Sequence, residues 1–135
     1  MLKRSTVRTF LAWAATLVVI VLCLWPATWI PRGEKSSGRL PHLDKLIHFS
    51  MFAMFGAAWM SARPGGSRRQ RWVAGVVAAG LALAVGTEAA QALPFVQRDP
   101  DPADALADAT GLAVAVTIFA AIATTREPTT ASQEV

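Results

Sequence analysis

Four apolar runs divide the chain, separated by short polar segments. The first, FLAWAATLVVIVLCLWPATWI, covers Phe10 to Ile30 and holds no charge. A helix rises about 1.5 Å per residue, so roughly 20 residues cross the ~30 Å hydrocarbon layer of a bilayer. The second, LIHFSMFAMFGAAWMSA, covers Leu46 to Ala62 and is slightly short, which draws Asp44 and Lys45 into its first turn. The third opens at Trp72 and continues through Glu88 to about Leu93. The fourth, ALADATGLAVAVTIFAAIATT, runs from Ala105 to Thr125, with Pro100 and Pro102 just before it. Proline suits the start of a helix rather than its interior. No run alternates polar and apolar residues, which argues against strands. The pattern predicts an all-α polytopic membrane protein. Its four-transmembrane-helix bundle has spans at about 10–30, 44–62, 72–92 and 103–125. They form one domain over residues 1–125, and the polar tail 126–135 is expected to be disordered.

Lys3, Arg4 and Arg8 before the first run resemble the start of a signal peptide. Bulky Trp25 and Trp29, however, stand where cleavage needs small residues, so an uncleaved anchor is expected. Trp13, Trp25, Trp29, Trp59 and Trp72 all fall near the ends of these spans, where amphipathic rings favour the headgroup region. Eight lysines and arginines fall on the side holding both termini and the RPGGSRRQR loop, against five on the other. That bias predicts both termini inside the cell.

Only 16% of the residues are charged, against about a quarter in soluble domains. The net charge of +4 reads as topogenic charge flanking the spans. No basic stripe interleaves with aromatics, so no nucleic acid partner is expected. One cysteine, Cys23, excludes an internal disulfide and a cysteine-rich metal site.

Charge inside the spans is confined to three places. Asp44 and His48 are four residues apart, Glu88 and Gln91 three, and Asp104 and Asp108 four, so each pair shares a helix face. On the predicted topology all three stripes lie at the outer level of the membrane, with Arg98, Asp99 and Asp101 on the loop beside them. Facing lipid, each charge would be costly near the bilayer centre and less so near the interface. Facing one another they can pair, which predicts a polar pocket between the last three helices, open to the outside. The plainer alternatives are that Lys45 snorkels to water and that Asp44 only complements the helix dipole. Asp99 and Asp101 likewise read as solvated loop charges, and His48 as a packing residue. Gly56, Gly75, Gly80, Gly86 and Gly111 offer sites of close helix approach. Gly111, one turn beyond Asp108, is the strongest of them.

These residues resemble the VanZ-like family of small bacterial membrane proteins. DKLIHFSMF is similar to the family's D-K-x-x-H-F pattern at Asp44, Lys45, His48 and Phe49. EAAQ resembles its E-x-x-Q at Glu88 and Gln91, and RDPDPADALADATG its arginine–aspartate–glycine pattern at Arg98, Asp104 and Gly111. The resemblance spans about residues 10–125. It departs at Asp108, where the family commonly has asparagine. It implies a four-span protein of the bacterial cytoplasmic (inner) membrane with a cell-envelope role of the glycopeptide (teicoplanin) resistance type. It implies no settled activity.

The leading expectation is a non-catalytic protein. Its pocket of Asp44, Lys45, His48, Glu88, Gln91, Arg98, Asp104 and Asp108 would bind an envelope lipid, a lipid-linked precursor or an amphiphilic antibiotic. Lys45 and Arg98 would meet an anionic group. An enzyme acting on an envelope lipid is the alternative, with His48, Glu88 and Asp108 as acid–base candidates. No cofactor is required, although His48, Glu88 and Asp104 have the chemistry to hold a divalent cation. A proton-coupled transporter is the third reading. The oligomeric state is not legible in the sequence.

Overall fold

The computed structural model describes residues 3–26, 43–64, 68–96, 98 and 100–125. Among them are four α-helices in chain order: α1 (Arg4–Cys23), α2 (Leu43–Ser61), α3 (Arg69–Gln91) and α4 (Pro102–Thr125). There is no strand among the described residues. The proposed tail, Trp29 and Asp99 lie outside them.

Two helix boundaries follow from local chemistry. Pro102 opens α4, where its missing N–H costs nothing. Pro26 disfavours helical backbone at Trp25, so α1 closes with a turn at Leu24, whose N–H donates to the Ile20 carbonyl at 3.0 Å. At the other end α1 begins at Arg4, six residues before the expected span. Trp13 therefore falls near the middle of its helix rather than at an end. It packs edge-on against Trp59 at 5.1 Å between ring centres.

Helices α1, α3 and α4 are long and apolar enough to cross a membrane. At most 28% of the apolar stretch of each is buried inside the protein. The rest points outward, as on α1, where Phe10, Leu11 and Leu17 are all more than half exposed. Helices apolar on all faces need an apolar medium around them. Hydroxyls on these faces turn back on their own helix: Thr9 donates to Ser5 O at 3.1 Å, Ser50 to Leu46 O at 2.7 Å and Thr110 to Leu106 O at 2.7 Å. That satisfies each donor without water. Helix α2 is not among these three, and its first turns carry Asp44, Lys45 and His48.

Helix α2 contacts all three other helices, and α2 with α4 is the tightest pair. The core joins Val19 and Cys23 of α1 to Phe52 and Phe55 of α2, Ala84 of α3 and Leu112 of α4. Gly111 explains the closeness of α2 and α4. A β-carbon there would overlap the Phe49 carbonyl oxygen and lie 2.9 Å from its carbon and 3.1 Å from the Ala53 nitrogen. Gly56 and Gly80 face Leu112. Gly75 and Gly86 have nothing within 4 Å of the same position, so they are not close-packing sites as the sequence suggested.

The end of the bundle holding the α2 C-terminus and α3 N-terminus is aromatic. The Trp59 Nε1–H donates to Thr16 Oγ1 at 3.0 Å, and the Trp72 Nε1–H to the Trp59 carbonyl at 3.1 Å. The Arg69 guanidinium donates to the Ala120 carbonyl, tying α3 to the far end of α4. A cavity of about 390 Å³ opens beside Trp13, Trp59 and Trp72.

Candidate functional site

The opposite end gathers the charge. The α2 N-terminus, the α3 C-terminus and the α4 N-terminus meet there, beside the C-terminus of α1. The i,i+4 stripe of α2 faces the i,i+4 stripe of α4 because the glycine seam one turn along brings the two backbones together.

The cluster has a rim and a floor. At the rim, Lys45 Nζ donates to Asp101 Oδ2 at 2.7 Å, Asp104 Oδ1 at 3.0 Å and Asp44 Oδ2 at 3.3 Å. The Asp44 and Asp101 side chains are 56% and 45% exposed, so this layer meets solvent. Asp101 lies outside the helices, and the Lys45 ammonium holds its carboxyl below the usual carboxylate range. At the floor, His48 Nδ1 is 3.0 Å from Asp108 Oδ1, and Nε2 is 3.8 Å from Asp104 Oδ2. Glu88 Oε2 accepts the Asp101 backbone N–H at 2.9 Å. His48, Glu88, Asp104 and Asp108 are all buried, Asp108 completely. Two oxygens of this layer, Glu88 Oε1 and Asp108 Oδ2, are buried without a hydrogen-bond partner.

The structure departs from the sequence expectation in several ways. The polar group is not an open pocket: its floor is packed shut and only its rim is accessible. Asp101 is no free loop charge, because it accepts from Lys45 and its N–H caps Glu88. Lys45 does not snorkel away, and it is not free to meet an anion, since three carboxylates surround it. Arg98 and Gln91 face elsewhere. Gln91 Nε2 donates to the Cys23 carbonyl at 3.2 Å, and Arg98 donates more weakly, at 3.4 Å, to the Leu22 and Cys23 carbonyls. The last carbonyls of a helix have no partner within it, so these two side chains cap α1 and fasten it to the site. The set His48, Glu88 and Asp104 is not one metal-sized group. The ligand atoms that lie within 4.8 Å of one another belong to His48, Glu88 and Asp108, while Asp104 groups with Asp44 and Asp101. Lys45 draws Asp104 toward the rim.

The sequence places Asp101 beside the stripes but reads it as a solvated charge, and it passes over Thr87. Asp101 reaches the site through chain geometry after α3, which no spacing rule encodes. Thr87 is buried beside Glu88 and donates to the Leu83 and Ala84 carbonyls, both at 3.0 Å. Its position one residue before Glu88 was the only available signal.

Five carboxylates therefore surround one lysine and one histidine. With the arginine spent on α1, carboxyl groups outnumber cationic side chains here, a balance that suits a cation rather than an anion. This is a helical protein, three of whose helices are long and apolar enough to cross a membrane, with a buried acid–histidine cluster at one end. No family model, no curated protein and no solved structure matches the chain.

Proposed function

We propose that all four helices cross the bacterial cytoplasmic membrane, with both termini inside and the charged cluster on the extracytoplasmic side. The 19 residues of α2 reach about 28 Å at 1.5 Å each. Its outward face carries Leu46, Ile47 and Met54. Of its polar first turns, Lys45 and His48 face α4, and Asp44 stays at the accessible rim. The excess of lysine and arginine on the side of the termini supports the orientation.

On this reading the protein is a VanZ-like, non-catalytic binding protein of the cell envelope. Its ligand is the cationic group, an amine or ammonium, of a membrane lipid, a precursor or an amphiphilic antibiotic. One observation carries the choice of charge: Lys45 already lies among three carboxylates, two of them solvent-facing. An arriving anion would meet surplus negative charge, whereas an amine would find Asp44 and Asp101 at the accessible rim.

Teicoplanin susceptibility of cells expressing the protein tests this. The Asp44→Asn, Asp101→Asn double variant should stay in the membrane at normal level and lose the protection that the native chain gives. Full protection by the double variant, or none by the native chain, would refute the reading. The orientation has its own test. A reporter active only in the cytoplasm should work after Val135 and at Gly65–Gly66, and silence at both would invert the topology.

An enzyme acting on an envelope lipid is the second reading. The hydrogen-bonded His48–Asp108 pair favours it. Against it, both side chains are closed off from any substrate. A proton-coupled transport role has less support, because the titratable groups stop at one end of the bundle.

A further inference from the structure

We propose that the floor of the cluster is a divalent transition-metal site formed by His48, Glu88 and Asp108. This does not depend on an amphiphile binding at the rim, which is a separate and exposed layer. Three observations carry it.

The donors are close enough. One ligand atom from each of the three side chains lies within 4.8 Å of the other two, and each residue comes from a different helix. Ligands 2.0–2.2 Å from a tetrahedral zinc ion stand about 3.4 Å apart. His48 Nδ1 and Asp108 Oδ1 are 3.0 Å apart and would part by a few tenths of an ångström, while the Glu88 ligand atom, within 4.8 Å of the others, would close in by up to about 1.4 Å.

The donors also have spare capacity. Glu88 Oε1 and Asp108 Oδ2 are buried and unpartnered. A buried carboxylate oxygen with nothing to accept from is costly. Other carboxylates in the site lack this feature of the floor: Asp101 and Asp104 both accept from Lys45. A cation held by both carboxylates would draw on this unused acceptor capacity and offset two like charges held close together.

The surroundings complete a coordination shell. With Nδ1 on the metal, His48 Nε2–H would point toward Asp104 Oδ2, now 3.8 Å away. Ligating histidines commonly donate their second nitrogen to a carboxylate, which fixes the ring. The donor set of one imidazole and two carboxylates suits Zn²⁺ or Mn²⁺ better than Mg²⁺ or Ca²⁺, which take oxygen ligands. Lys45 and its carboxylates roof the site.

The full chain, purified in detergent and stripped with chelator, should take up one equivalent of Zn²⁺ or Mn²⁺ by elemental mass spectrometry, and its melting temperature should rise. Glu88→Gln and Asp108→Asn keep side-chain shape, and each should weaken the metal at least tenfold while far-ultraviolet circular dichroism stays helical. Asp101→Asn changes only the rim and should retain the ion. Failure to bind either ion at 100 µM would overturn the proposal, leaving protons or water to satisfy the orphan oxygens. Loss of metal in Asp101→Asn with retention in Glu88→Gln would overturn it too, by moving the ion to the rim.

Discussion

The α2–α4 seam offers the sharpest test of the packing. Gly111→Ala adds a single methyl group. In an exposed helix that change stabilises by up to about 1 kcal/mol, because alanine is the better helix former. Here the methyl overlaps the Phe49 carbonyl and lies 2.9 Å from its carbon. Ordinary carbon contacts need about 3.5 Å or more, so α4 must retreat from α2 by roughly 1 Å. The same retreat stretches the 3.0 Å His48–Asp108 contact to about 4 Å, beyond hydrogen-bond reach. Overpacking alone costs about 1–3 kcal/mol, and a disrupted buried polar pair adds to it. The matched control is Gly75→Ala, where the added methyl meets nothing within 4 Å and the helix-propensity gain should survive. Unfolding in mixed micelles, followed by circular dichroism, compares the two. Gly111→Ala should be less stable than the native protein by at least about 1 kcal/mol, and Gly75→Ala equal or slightly more stable. If Gly111→Ala matched Gly75→Ala, the close approach of the two helices would be wrong, and the pairing of charge stripes built on it would go too.

Other outcomes follow from single contacts. Gly80→Ala should cost less than Gly111→Ala, because the methyl meets the flexible end of Leu112 at 2.5 Å rather than backbone; a loss as large as at Gly111 would show Leu112 to be immobile. Asp101 is held below its ordinary range by Lys45, so its contribution is present above the unfolded carboxylate pKa and fades as pH falls through the folded one. Native and Asp101→Asn melting temperatures should differ at neutral pH and converge in acid, and a constant gap would exclude this titration. Trp59→Phe removes the donor to Thr16 while keeping an aromatic ring; it should lower stability by about 1 kcal/mol, and no further loss should follow in the double variant with Thr16→Val. Additive losses in that cycle would mean the hydrogen bond is not made.

Much of the arrangement was legible before any coordinates. Helical periodicity sets which side chains share a face, so Asp44 with His48 and Asp104 with Asp108 could be assigned to two stripes, and Gly111 to the seam between them. What escaped has two physical sources. Backbone acceptors carry no sequence signature: the C-terminal end of α1 absorbs Gln91 and Arg98 through carbonyl oxygens, and any residue could supply those. Loop geometry is the other. Asp101 precedes α4 by one residue, yet it bonds to Lys45 of α2 and Glu88 of α3, because the turn after α3 folds back over the helix ends. Depth was misjudged for a related reason. Spacing locates a stripe along a helix but not the distance to the next one, and the glycine seam closes that distance until a pocket becomes a packed cluster.

The dependence of α2 on α4 also bears on how the chain enters a membrane. On the four-span reading, α2 emerges from the ribosome with an aspartate, a lysine and a histidine in its first turns, and two of the three carboxylates that embrace Lys45 are made some 56 to 59 residues later. Until then the segment is a poor lodger in lipid. It must wait at the interface or beside the insertion machinery, and it is drawn fully across only when the last helix arrives. On that reading, insertion is a cooperative act of the second and fourth helices. A chain that stops after α3 should leave α2 stranded and become a substrate for membrane proteolysis, although three of its helices would be complete.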